Sequence, residues 1–213
     1  MTSDTRIPPA EVTGAYGAIV KFAARKMTGK VPDSLGVLWH HQAVMKDAMG
    51  IGRKIEKWHE LDRTLATYAA MAAAATVGCS FCLDLNYFMA HTHGLDEAKV
   101  REVPRWRESA VFTALERRVM EYAEAASQTP PAVTDELSDA LLAEIGPAAL
   151  VELAARVAFM NMSARIAACC SPSRMSFSVP PPTRRTCCRS RGCAGRRWIT
   201  LRSATLAPIW CAS

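Results

Sequence analysis

The sequence predicts an all-α protein, a helical bundle followed by a basic C-terminal tail. Three observations carry this reading. The chain has 213 residues, half of them hydrophobic, which is enough for one domain with a sizeable core. It is rich in Ala, Leu and Met and poor in β-branched runs, a composition that favours helix. Its apolar residues recur at intervals of three and four between Gly and Pro breaks.

The elements follow in order. Ala10 to Thr28 offers Tyr16, Ile19, Val20, Ala23 and Met27 at helical spacing, with Gly29 as the stop. Pro32-Asp33-Ser34 restarts the chain, and Leu35, Leu38, Val44 and Met45 predict a second helical segment, interrupted at Gly50-Ile51-Gly52. A third runs from Ile55 through Val77, polar at the front and alanine-dense from Ala69. After a break at Val77-Gly78, a fourth presents Leu85, Phe88, Met89 and Leu95 as its apolar face. A short charged helix from Asp96 ends at Pro104. Thr113-Ala114-Leu115-Glu116 matches a capping box, and Phe112, Leu115, Val119, Tyr122, Ala123 and Ala126 mark the buried face of the helix it starts. Pro130-Pro131 ends that helix. Thr134-Asp135-Glu136 opens the next with acids in its first turn, and it runs to Gly146-Pro147. A last helix, Ala148 to about Ala168, carries Leu150, Leu153, Val157 and Met160.

Charge and cysteine divide the chain into residues 1–168 and 169–213. The net charge of +6 belongs to the second part, which holds eight arginines, no lysine and no acid, leaving 18 basic against 20 acidic residues in the first. A nucleic-acid partner is therefore not expected of the body. Six of the eight cysteines (Cys169, Cys170, Cys187, Cys188, Cys193 and Cys211) also fall in the tail. That tail lacks periodicity and caps, so it reads as disordered. A basic arm for nucleic acid or a Cys-rich metal tail is a functional alternative, but no pair there has zinc-finger spacing and no His is present. Translation of a shifted frame of a GC-rich gene fits its Arg, Pro, Ser and Cys bias best. No stretch approaches the roughly 20 apolar residues of a membrane span, and Met1 to Pro9 lacks an apolar signal core. The expectation is a cytoplasmic protein without a membrane partner.

The chemistry concentrates in Gly78-Cys79-Ser80-Phe81-Cys82-Leu83-Asp84-Leu85-Asn86. This stretch puts a Cys-x-x-Cys pair on the first turn of a new helix, where the positive end of the dipole favours thiolate over thiol. In a reducing compartment an isolated close pair points to catalysis or metal binding.

The segment from about Leu61 to Ala168 resembles the carboxymuconolactone decarboxylase superfamily, in its alkylhydroperoxidase D-like branch. The resemblance rests on Gly78-Cys79-Ser80-Phe81-Cys82 followed by His93-Gly94-Leu95-Asp96. Pro104-Arg105-Trp106-Arg107-Glu108-Ser109, Leu115-Glu116-Arg117 and Pro130-Pro131 before Thr134-Asp135-Glu136-Leu137 extend it. It implies an all-α alkylhydroperoxidase D-like bundle, a homo-oligomer, and peroxiredoxin-type reduction of a small hydroperoxide by the thiol pair, with no bound cofactor and an external dithiol reductant. It implies Cys82 as the peroxide-attacking thiol and Cys79 as its disulfide partner. The branch places a His four residues after the second cysteine, where this chain has Asn86, and a Glu on the preceding helix, where it has Thr67 and Tyr68. A carboxamide can orient a thiol or a water but is no base near neutral pH.

Two other readings compete. Asp84 falls on a different helix face from Cys82, and His91 and His93 lie too far along the same helix, which leaves His40, His41, His59 and Glu60, brought in by the fold or a neighbouring subunit, as relay candidates; without one, the chain is a non-catalytic or weakly active oligomeric helical protein. A metal site of Cys79, Cys82, His91 and His93 is disfavoured, because two histidines two residues apart on a helix point apart.

Overall fold

The computed structural model describes residues 5–170, less the side chains of residues 27 and 28, so the burial of Met27 lies outside it, as do the expectations for 171–213. All regular structure among the described residues is helical. The chain runs α1 (Gly14–Thr28), α2 (Asp33–Trp39), α3 (Gln42–Ile55), α4 (Arg63–Val77), α5 (Ser80–Thr92), α6 (Glu97–Glu102), α7 (Ala114–Ala126) and α8 (Asp135–Cys170). A single 3-10 turn, Val103–Arg105, follows α6.

The core forms around α4. Leu65, Ala66, Tyr68, Ala69, Met71, Ala72, Ala73 and Ala74 are all buried, and this density of small side chains lets α7 and α8 close on α4 from two sides. Val119, Met120 and Ala123 of α7 and Leu141, Leu153 and Val157 of α8 complete the layer. Tyr68 meets Phe112 edge to face, with centroids 5.6 Å apart. A smaller cluster of Val12, Val20, Leu35, Trp39 and Met45 joins α1, α2 and α3.

Local chemistry explains most of the boundaries. Asp62 caps α4 by accepting the amides of Thr64 and Leu65, and Asp96 caps α6 in the same way. Thr113 and Glu116 form the reciprocal capping box expected for α7. Gly146, at φ 78° and ψ 169°, kinks α8 ahead of Pro147, at the expected break.

Three expectations are corrected. First, α1 begins at Gly14, because the Ala10 amide is committed to the carbonyl of Gly36. Ile19 is exposed and Tyr16 half-exposed, leaving Val20 as the buried anchor. Second, α3 runs unbroken through Gly50-Ile51-Gly52. The break falls instead at His41, whose ring caps α3 through the Val44 amide. Gly52 faces the ring of Phe159, so packing on α8 offsets the roughly 1 kcal/mol that helical glycine costs.

Third, residues 56–62 leave the helix that was expected to start at Ile55. The cause is a clamp 91 or more residues away in sequence. Glu152 of α8, 6% exposed, accepts the amides of Glu60 at 2.8 Å and Leu61 at 3.2 Å. Arg156, one turn on, donates to Glu152 at 2.7 Å. It also donates to the carbonyls of Ile55 and Trp58 at 3.0 and 3.1 Å. These bonds hold the α3–α4 connection against α8 in a non-helical form. The last helix also runs to Cys170, two residues past the expected boundary.

Candidate functional site

Gly78 ends α4 in the left-handed conformation, φ 78°, with its amide returning to Ala74 and Ala75 carbonyls. The chain reverses there at once into α5, whose N-cap is Cys79. Cys82, three residues on, lies in the first turn, and the two are joined as a disulfide with Cα atoms 5.3 Å apart. The Cys82 amide donates to the Cys79 sulfur at 3.2 Å, so a disulfide sulfur takes the place a Ser or Asp oxygen has in an ordinary cap.

The disulfide is enclosed. Cys79 and Cys82 are 4% and 5% exposed, buried together with Ala74 of α4 and Ala164 of α8. Half-buried Val77, Phe81, Leu83, Met160 and Ala167 pack around them. The packing around the disulfide is thus apolar, and α8 contributes to it through Met160, Ala164 and Ala167.

Asn86 lies one turn beyond Cys82 and donates its amide to the Cys82 backbone carbonyl at 2.8 Å. Its NH2 group is thus engaged with the helix backbone. At the positions on α4, Thr67 bonds to the Arg63 carbonyl and Tyr68 lies in the main core, its hydroxyl buried without a hydrogen-bond partner among the described residues. Burial chiefly, with Glu116, Asp96 and Asp62 nearby, pushes the Tyr68 phenol up to about 12.

The other relay candidates are placed elsewhere. His40 bonds to the Pro8 carbonyl, His41 caps α3 and His59 meets the Lys57 carbonyl. His91 pairs closely with Glu97, whose carboxyl it holds below the usual range, and His93 ends α5. Glu60 contributes its amide to Glu152. Among the described residues no ionisable side chain hydrogen-bonds to either sulfur, and no group of three or more His, Cys, Asp or Glu side chains is placed to hold a metal ion. His91 and His93 stand at the far end of α5 from the pair, so the four residues of the metal reading do not converge. A separate cleft between α7 and the start of α8, lined by Arg107, Arg118, Glu124 and Glu136, holds neither cysteine.

The family model of the carboxymuconolactone decarboxylase family matches residues 43–125, from α3 through α7. Over residues 43–125 the chain is similar to the carboxymuconolactone decarboxylase family. An uncharacterized Escherichia coli protein, YnjA, is 36% identical over 118 residues, 55% of this chain and 65% of that protein's length. The debrominase Bmp8, solved with 2,3,4-tribromopyrrole, superposes with a TM-score of 0.67 at 19% identity, over 78% of this chain and 89% of its own. An Agrobacterium tumefaciens protein of unknown function, described as a putative antioxidant defence protein AhpD, gives 0.61 at 21% identity over 65% and 95%. At these identities the two structures establish the fold that this chain shares with them. One is a debrominase and the other a putative antioxidant defence protein, so the shared fold does not specify the electrophile. No helix among the described residues is long and apolar enough to cross a membrane.

The close pair and its helix start were legible in the sequence; the α8 cover and the Glu152 clamp were not. Glu152 carried a readable signal, a Glu with Arg four residues later within the mostly apolar stretch from 147 to 160.

Proposed function

We propose that the protein is a thiol-dependent oxidoreductase that reduces a small hydroperoxide through Cys79 and Cys82. The observation that carries this is the pair itself, oxidised to a disulfide on the first turn of α5, with Cα atoms close enough to join and separate without moving the backbone far. A thiolate of the reduced pair attacks the terminal peroxide oxygen, giving a sulfenic acid and an alkoxide. The second sulfur then displaces hydroxide and closes the disulfide. The alkoxide takes its proton from water, because Asn86 cannot supply one. An external dithiol returns the pair by exchange. The apolar lining favours an organic hydroperoxide over hydrogen peroxide.

The test is stoichiometric. Pre-reduced protein mixed with an organic hydroperoxide should consume one equivalent per pair and form the Cys79–Cys82 linkage, read by mass spectrometry of the peptide that holds both. No linkage beyond the rate of free dithiothreitol refutes the reading.

A second reading is a weakly active helical oligomer, favoured by Asn86 bonding to the Cys82 carbonyl. It predicts linkage formation no faster than the free dithiol. Homo-oligomerisation is part of both readings. It is supported by Leu85, Phe88 and Met89, which leave an apolar side of α5 half-exposed, and size-exclusion chromatography with light scattering tests it.

A further inference from the structure

We infer that Cys79, and not Cys82, is the nucleophile of the reduced pair. The assignment rests on the reading of the pair as a dithiol redox site, and it reverses the roles that the family resemblance implies.

The first support is the cap. Cys79 stands outside the first turn of a 13-residue helix, and its sulfur accepts the Cys82 amide at 3.2 Å. Once the disulfide is reduced, that N–H bond and the helix dipole both act on the charged form of Cys79. Interactions that favour only the charged form lower a thiol pKa. Among the described residues no donor does the same for the Cys82 sulfur. Its own amide is the one given to Cys79, and it sits inside the turn whose free N–H groups point back toward the cap.

The second support is Asn86. A thiol at Cys82 could become the stronger nucleophile if the side chain one turn on took its proton. That side chain is a carboxamide, with its NH2 on the Cys82 carbonyl at 2.8 Å and no basic lone pair. Accessibility does not rank the two thiols, since they are 4% and 5% exposed. Ionisation does, and it favours Cys79.

The electron count is unchanged by the reversal. The Cys79 thiolate attacks the terminal oxygen, the O–O bond breaks, and the alkoxide leaves with its electron pair and is protonated by water. The Cys82 sulfur then attacks the Cys79 sulfenic acid. The S–O bond breaks, hydroxide leaves with the Cys82 proton as water, and the S–S bond forms. The pair loses two electrons and the peroxide gains them.

The test uses the intact, pre-reduced chain. It is alkylated with iodoacetamide at pH about 6, below the ordinary thiol pKa of roughly 8.5, and fragment masses separate Cys79 from Cys82. Cys79 should react about tenfold faster or more, with a pH midpoint below the ordinary thiol value. Equal rates, or Cys82 first, overturn the assignment. The variants Cys82→Ser and Cys79→Ser, challenged with organic hydroperoxide and a sulfenic-acid trap, should label Cys79 in the first and lose the rapid label in the second. Rapid label at Cys82 in Cys79→Ser also overturns it. The expected alkylation order with no sulfenic acid at either site sinks the peroxide reading while upholding Cys79 as nucleophile.

Discussion

Glu152→Ala removes the acceptor that holds the α3–α4 connection on α8. Three donors converge on this carboxylate, the Glu60 and Leu61 amides and Arg156. Removing one member of a buried, hydrogen-bonded charge pair costs about 3–5 kcal/mol. Arg156 keeps two carbonyl partners, Ile55 and Trp58, so the low end applies, about 3 kcal/mol, of which the stranded buried Leu61 amide accounts for about 1–3 kcal/mol. For a chain of this size that is a fall of about 6–12 °C in Tm. Urea denaturation followed by circular dichroism, at fixed protein concentration, measures it. Glu152→Gln keeps an oxygen for the two amides and should lose roughly half as much. The pH dependence separates a charge effect from a packing effect. Burial would raise the Glu152 carboxyl, but Arg156 and the Leu61 and Glu60 amides outweigh it and hold it below 4.5. A depressed folded value means that the stabilisation is present above the unfolded value and is lost as pH falls through the folded one. Wild type should therefore lose stability below pH 4.5 more steeply than Glu152→Ala. A loss under about 1 kcal/mol, or parallel acid branches, refutes the clamp.

Tyr68→Phe removes a buried hydroxyl that has no partner among the described residues, so stability should rise by about 1 kcal/mol in urea denaturation; a loss would show that the hydroxyl is satisfied. Because the Tyr68 phenol is raised to about 12, unfolding releases a proton above the ordinary tyrosine value of 10. Wild type should therefore weaken between pH 10 and 12, and Tyr68→Phe should flatten that branch. Gly78→Ala meets no neighbour within 4 Å, leaving only backbone strain at φ 78°, about 1–2 kcal/mol; a neutral result in the same assay would refute left-handed strain as the constraint. Asn86→His places a base one turn from Cys82 and should speed peroxide-driven disulfide formation about 100-fold, with Cys82 becoming the first thiol alkylated. An unchanged rate in stopped-flow would mean that residue 86 does not reach the thiol.

What was legible in the sequence was what neighbours in sequence decide. Gly29, Val77-Gly78, Gly146-Pro147 and the Thr113 capping box mark ends whose hydrogen bonds close within a turn. The cysteine pair belongs to the same group, since its placement depends only on the α4 stop. The misses are tertiary. Gly50 and Gly52 look like breakers until Phe159 packs against α3. Residues 56–62 look helical until Glu152 captures the Glu60 and Leu61 amides. The cover of the disulfide comes from residues about 80 positions further on, and nothing local announces which stripe of a long apolar helix will face a given pair of thiols.

Glu152, Arg156, Met160, Ala164 and Ala167 form one line down α8, spaced by four, four, four and three residues. The upper part of that line fastens a loop and the lower part roofs the disulfide. The helix thus acts as a rigid key whose rotational setting is chosen at one end and used at the other. One residue inserted between Arg156 and Met160 would turn the lower part by about 100° while leaving the clamp seated. The redox pair would lose its apolar roof with no change in any residue that touches it.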